Sequence, residues 1–258
     1  MNNDIRAICR PLVPKWLYRA CSRWADECAT LIAENLTTVW MLKRRGGDSV
    51  TLRLKSLKYP FTIQTKPEHV RELVGNVFRR QYDKHLGDLR PKTIIDAGCF
   101  IGELAAHWAT KWPGARIVSL EPNNENYSFA EANLSPYGDQ VKVIKMALWA
   151  TDEKLKVLGS QNSSSVELSV DGAFDVCGIS ILSLMKQANF DSIDLLKLDI
   201  EGAEFAIFEN SSDTWLPFVR CIILEFHDPQ REPGVWRKLE SQGFHGRRYR
   251  SVVTFQRA

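Results

Sequence analysis

Between Thr93 and Phe226 the chain alternates short, nearly unbroken apolar runs with segments whose apolar residues return every three or four positions. The runs Thr93 to Ala97, Arg116 to Leu120, Val141 to Leu148, Ile193 to Leu198 and Val219 to Phe226 predict five strands, and the segments between the earlier runs carry helical spacing. A stretch such as Ile193-Asp194-Leu195-Leu196 suits a strand covered on both faces. Strand and helix in alternation predict an α/β fold with a doubly wound, mostly parallel, Rossmann-like sheet.

Upstream the pattern changes. From Lys15 to Leu42, Trp16, Leu17, Ala20, Trp24, Cys28, Leu31 and Ile32 share one helical face, until Arg44-Arg45-Gly46-Gly47 breaks the period. Val50 to Thr65 alternates around Lys58-Tyr59-Pro60 and predicts a β-hairpin laid against the domain edge. A helix follows from Pro67 to Leu86, with proline where a missing N–H is harmless. The expected division is therefore an N-terminal helical extension, 1–49, and a catalytic domain, 50–258. The extension has four open roles: packing, a lid, a contact between copies in a homo-oligomer, or a membrane-surface contact. An insertion from Thr151 to Met185 carries the polar stretch Ser160 to Ser165, which reads as a binding loop or as a mobile surface loop.

Composition narrows the partners. At 258 residues with 44% hydrophobic and 25% charged positions, the chain has enough apolar material for one substantial core. A net charge of +3 does not make nucleic acid the default partner. Arg6, Arg10, Lys15, Arg19, Arg23 and the group Arg247, Arg248, Arg250 read as solvated faces and a basic tail, while leaving RNA open. Six cysteines without a C-x-x-C pair, and no apolar leader, read as reduced thiols in a cytoplasmic protein. No run reaches the roughly eighteen apolar residues of a membrane span.

Open α/β sheets bind ligands beyond the carboxyl ends of their strands, so the chemistry should lie there. The first run ends in Asp96-Ala97-Gly98-Cys99-Phe100-Ile101-Gly102-Glu103, where two glycines permit a tight turn and a close backbone approach. Asp96 and Glu103 would repel a pyrophosphate and attract an ammonium or sulfonium. The second run ends in Glu121-Pro122-Asn123, an acidic position suited to ribose hydroxyls. At the third strand end Met146-Ala147-Leu148-Trp149 reads first as a plain core strand and second as small apolar surface for an adenine. The fourth ends in Asp199-Ile200-Glu201-Gly202-Ala203-Glu204, and the fifth in Glu225-Phe226-His227-Asp228. The carboxylates read as helix caps, as contacts to a cofactor's amino-acid end or as a metal site; His227 has the intrinsic pKa of a general base near neutral pH.

These blocks, in this order, resemble the FkbM-type S-adenosylmethionine-dependent methyltransferases. The resemblance rests on Leu57 to Phe61, Ile95 to Gly102, Glu121-Pro122-Asn123 with Asn133, and Ile193 to Glu204, and covers roughly Val50 to Asp228. The family commonly has alanine and asparagine where this chain has Cys99 and Phe100, a departure that bears on a side-chain polar contact and not on the backbone cradle. The resemblance implies a class I methyltransferase fold, S-adenosyl-L-methionine as cofactor, and O-methylation of a hydroxyl on a small molecule, sugar or natural product. Cofactor contacts are expected from Asp96, Gly98, Cys99, Phe100, Gly102, Glu121, Pro122, Asn123, Ala147 and Asp199, and catalytic roles from His227, Asp199 and Glu201. A magnesium on Asp199, Glu201 and Glu225 is the less favoured variant, because the cofactor itself needs no metal. The rivals are an RNA methyltransferase, a catalytically silent member that binds a partner through its N-terminal helices and, more distantly, an NAD-dependent reductase.

Overall fold

The computed structural model describes residues 48–158, 167–169 and 174–257. The expected N-terminal helices, Cys9, Cys21, Cys28 and the stretch Ser160 to Ser165 lie outside these residues. The chain divides into two compact units between Gln81 and Tyr82.

In the first unit, β1 (Ser49–Leu52) and β2 (Phe61–Gln64) pair antiparallel, so the expected hairpin forms. Phe61 and Ile63 are buried, and the Thr51 and Thr62 hydroxyls bond across the strands at 2.9 Å. Helix α1 (Pro67–Leu73) starts on its proline as expected, but it does not run on to Leu86. A π turn over Val74–Phe78 replaces it, and the chain turns out of helical geometry at Arg80, whose φ is 50°. Gly75 within that turn weakens the regular helix that periodicity alone favours.

The second unit holds β3 (Thr93–Ala97), α2 (Glu103–Lys111), β4 (Arg116–Leu120), α3 (Asn124–Leu134) and β5 (Val141–Ile144). After β6 (Ala147–Leu148), β7 (Lys154–Leu158), β8 (Glu167–Ser169) and β9 (Phe174–Ile179) come α4 (Ile181–Ala188), β10 (Leu195–Leu198), α5 (Ala203–Asn210) and α6 (Ser212–Trp215). β11 (Cys221–Glu225), α7 (Glu232–Ser241), β12 (Phe244–Tyr249) and β13 (Val252–Arg257) complete it. Seven strands form the main sheet in the order β12-β13-β11-β10-β3-β4-β5; β11, β10, β3, β4 and β5 are parallel, and β13 runs antiparallel to both neighbours. The α/β, doubly wound, mostly parallel fold is the one the pattern predicts. Ile95, Val118, Leu120, Leu196, Leu198, Phe205, Phe208, Ile222 and Leu224 are at most 4% exposed and form the centre of one core.

Three details depart from the sequence reading. The run Val141 to Leu148 is not one strand: exposed Lys145 interrupts it, β5 stays in the main sheet, and β6 joins a second sheet of order β6-β9-β7-β8. The insertion is therefore partly built of strands rather than a structureless loop. The basic residues 247–250 are no tail but the end of an edge strand and its turn.

For function the important consequence is the strand order. The chain moves from β3 through β4 to β5 in one direction, and β10 and β11 lie on the other side of β3. The carboxyl ends of β3 and β10 thus flank the point where the winding reverses, the place where open α/β sheets hold ligands. Lys197 stands in register with Asp96, and Leu198 with Ala97.

Candidate active site

The loop after β3 is drawn across its neighbour: the N–H groups of Gly98 and Cys99 both donate to the Leu120 carbonyl, at 3.0 and 2.9 Å. Asn133 Nδ2 donates to the Ile101 carbonyl at 3.0 Å and ties the far side of the loop to α3. Gly98, at φ 76°, comes so close to the turn after β10 that a Cβ there would lie 1.9 Å from the Asp199 carbonyl oxygen. Gly102, at φ 86°, opens α2, and its own Cβ would strike Leu134. The two glycines that define the sequence motif are thus needed for backbone reasons at both ends of the loop.

Under the loop lies an ion pair that the sequence reading did not assign. Asp96 is completely buried, and Lys197 is 3% exposed; its Nζ is 3.3 Å from Asp96 Oδ1 and donates to the carbonyls of Gly98 at 2.7 Å and Ala97 at 3.1 Å. Burial alone would lower the Lys197 pKa, but the carboxylates of Asp96, Asp199 and Glu103 outweigh it and raise it. Burial raises the Asp96 pKa, against the pull of Lys197. Asp96 therefore acts on the loop from beneath, through Lys197. Cys99 is buried as well, and burial together with the Asp96 and Glu121 charges pushes its thiol well above the usual range.

Glu121, 5% exposed at the end of β4, links strand to loop. Its Oε2 accepts the Phe100 N–H at 3.0 Å and its Oε1 the Asn123 N–H at 2.9 Å. Burial lifts its pKa to about 7 in spite of these bonds. Asn123 caps α3, its Oδ1 accepting the N–H groups of Glu125 and Asn126, with Pro122 half-buried beside it. Ala147, 4% exposed, belongs to β6 and is carried by the second sheet.

Across the crevice the carboxylates gather around His227. Its Nδ1 and its backbone N both lie 3.1 Å from Glu204 Oε1, while Nε2 is 3.6 Å from Asp199 Oδ1 and from Glu201 Oε2. Glu204 is fully buried, and its Oε2 accepts the Gly202 N–H at 2.9 Å. Burial acts to lower the His227 pKa, but Glu204, Asp199 and Glu201 together lift it to about 9, so the ring is an imidazolium at neutral pH. Tyr82, buried, donates its hydroxyl to Asp199 Oδ2 at 3.1 Å. Glu225 is raised first by burial and then by the Asp199 charge. Among the described residues no group of three or more His, Cys, Asp or Glu side chains is arranged to hold a metal ion.

The structure thus brings together the loop Gly98 to Gly102, Glu121 to Asn123, Asp199, Glu201 and His227. Lys197 and Tyr82 escaped the sequence reading, which took Glu204 only as one of the three carboxylates at the fourth strand end. A lysine inside an otherwise apolar buried run was the available signal for the first. Glu204 lay within the quoted motif with no sign of its partner, and nothing local marks Tyr82.

A glycine-bent loop at the reversal point of a parallel sheet, faced by acidic strand ends, lies where open α/β folds hold their ligands. Residues 96–245, more than half of the chain, match the family model of the methyltransferase FkbM domain, and the chain belongs to that family. It is 22% identical over 188 residues to methyltransferase sdnD of Sordaria araneosa, covering 58% of this chain and 73% of that one. It is 25% identical over 176 residues to the AMB antimetabolite synthetase AmbE of Pseudomonas aeruginosa; the match takes in 52% of this chain and 8% of that protein. Among solved structures it is similar to a methyltransferase FkbM from Methylobacillus flagellatus, at 14% identity and a TM-score of 0.48, over 72% of this chain and about half, 53%, of that one.

Proposed function

We propose that the protein is an S-adenosyl-L-methionine-dependent methyltransferase acting on a hydroxyl oxygen of a small molecule, sugar or natural product. The observation that carries this reading is Glu121, a buried carboxylate held by a loop N–H at one oxygen and by the Asn123 N–H at the other. A carboxylate has about four acceptor positions, so capacity remains for the two vicinal hydroxyls of a ribose. The Gly98 backbone, with no side chain to fill the cradle, and the acidic end of β10 suit the positively charged donor end. When bound, the cofactor supplies a methyl carbon activated by its sulfonium.

His227 takes the acceptor's proton at Nε2, Glu204 keeps its Nδ1–H oriented, and Asp199 and Glu201 stabilise the imidazolium that results. Tyr82 holds the Asp199 carboxylate in place. The same carboxylates that make the ring a strong base leave only about 1% of it neutral at pH 7. Turnover should therefore climb with pH up to about 9. His227→Ala should lower kcat by about 100-fold and remove that rising limb, with affinity for S-adenosylhomocysteine retained. A pH–rate profile of the variant that keeps the limb would take His227 out of the role.

Glu121 yields a test with opposite signs. Its pKa in the folded protein, about 7, lies above the ordinary value of 4.5. Folding thus binds a proton there, and the contribution of this group to stability is fully present below pH 4.5 and lost as pH rises through 7. Hydroxyl donors favour the ionised form, so S-adenosylhomocysteine should bind more tightly at pH 8 than at pH 6. Glu121→Gln, whose amide nitrogen cannot accept either backbone N–H or a hydroxyl proton, should bind S-adenosylhomocysteine at least about tenfold more weakly by calorimetry and lose this pH dependence. Wild-type protein that ignores both donor and product at millimolar concentration would overturn the whole reading.

We place the protein in the cytoplasm, on the free thiols of Cys99, Cys177 and Cys221. Among the described residues no helix is long and apolar enough to cross a membrane.

A further inference from the structure

The β12–β13 hairpin turns at Arg250-Ser251, because Tyr249 pairs with Val252 and Val252 also pairs with Glu225. The turn therefore stands at the carboxyl end of β11, the same end of the sheet as Asp199 and His227. Ser251 hydrogen-bonds the Glu225 carboxylate, which lies within the electrostatic reach of Asp199. A second route leads to the same place: Tyr82 grips Asp199, and three residues on, His85 packs edge-on against the Tyr249 ring with centroids 5.7 Å apart. Hairpin tip and Tyr82 segment thus meet, and together they wall one side of the reaction centre.

That wall is cationic, unlike the centre itself. Lys84 Nζ stands 5.8 Å from the Tyr249 ring centroid and the Arg250 guanidinium 5.4 Å, so one aromatic ring organises two positive groups. Lys84, Tyr249 and Arg250 are all exposed, and Arg247 stands exposed on the same strand. Arg248, by contrast, is engaged with Glu232. Arg250 also holds a φ of 60°, in the left-handed region where a two-residue hairpin turn prefers glycine or asparagine. An arginine in a strained position that glycine would fill more easily points to a use for its side chain.

We propose that Lys84 and Arg250, set on Tyr249, bind an anionic group of the acceptor, a phosphate or carboxylate, and so select acceptors that carry one at the far end from the hydroxyl to be methylated. This rests on the methyltransferase reading above and adds the acceptor's charge to it. The Tyr249 strand lies three strand spacings of about 4.8 Å from β10, which sets the anion about 14 Å across the sheet from the end of β10. Negative charge placed there is distant from Asp199 and Glu201, whose repulsion would otherwise exclude an anionic acceptor.

The test uses the full chain saturated with S-adenosylhomocysteine, phenyl phosphate as probe and benzyl alcohol as its neutral counterpart, followed by NMR titration. Phenyl phosphate should bind at least tenfold more tightly than benzyl alcohol. The double variant K84A/R250G should lose that tenfold difference while its affinity for S-adenosylhomocysteine stays unchanged. Arg250→Gly alone should weaken the phosphate probe and leave the melting temperature equal or higher, because glycine relieves the turn; a merely structural arginine would lower it. Equal affinity for the two probes, or phosphate binding untouched in the double variant, overturns the proposal. So does single-stranded RNA binding more than 100-fold tighter than phenyl phosphate with a steep salt dependence, which would assign the patch to a nucleic-acid backbone. Loss of S-adenosylhomocysteine binding by the wild-type protein would sink the methyltransferase reading instead, a result distinct from all of these.

Discussion

Gly98→Ala should leave the cofactor loop unable to close, with S-adenosylhomocysteine affinity reduced more than about 100-fold in calorimetry. The added methyl would sit 1.9 Å from the Asp199 carbonyl oxygen, a backbone atom that cannot rotate away. It would also be attached at φ 76°, a conformation costing a non-glycine residue about 1 kcal/mol before any collision. Relief requires the β3 loop and the β10 turn to move apart, which separates the two halves of the crevice and loosens the Lys197 bonds to the Ala97 and Gly98 carbonyls. A loss of about 3 kcal/mol is expected. That is about 10 °C in melting temperature for a unit of this size. An alanine variant with wild-type affinity would mean that the ligand does not use this loop.

Lys197→Met should have the largest effect on stability of any single change in the site, about 3 to 5 kcal/mol. The methionine fills the space, so the loss is electrical: a wholly buried Asp96 is left without its counter-charge, and two loop carbonyls lose their donor. The pH dependence has a definite sign. Asp96 has a folded-state pKa already raised above its ordinary value by burial, and without Lys197 it should rise further. A proton taken up there neutralises the stranded charge, so the contribution of this group to stability is present at low pH and lost as pH rises. Urea melts should thus show Lys197→Met closer to wild type at pH 5 than at pH 8. The double variant Asp96→Asn/Lys197→Met should recover part of the loss at pH 8. Equal deficits at both pH values would show that packing, not charge, is what the lysine provides.

Much of this was readable in the chain. The near-continuous apolar runs ending at Ala97, Leu120 and Leu198 predict buried parallel strands, because only a strand covered on both faces needs no polar alternation. The spacing of Gly98 and Gly102 predicts a bent loop, and both glycines prove necessary. What local pattern does not carry is the lateral order of strands. Lys197 and Asp96 are 101 positions apart, and only the pairing of β10 with β3 puts one beneath the other. For the same reason His227 reads as an ordinary imidazole with a neutral-range pKa, whereas three carboxylates from the turn after β10 and the start of α5 surround it and raise its proton affinity. The hairpin at the C-terminus was missed for a different reason. Arg247 and Arg248 give β12 an exposed, charged burial pattern and Arg250 extends it into the turn, which sequence reading takes for a tail.

The margin of the sheet formed by β12 has a further consequence. Among the described residues its outer row of N–H and C=O groups meets no further strand in the main sheet, an arrangement that invites another chain to add itself. Arg247 stands exposed along that row, so a second copy arriving strand to strand would bring like charge against like charge. The Arg247 guanidinium therefore acts as a gatekeeper against aggregation, and neutralising it by substitution would remove that protection from the sheet's rim.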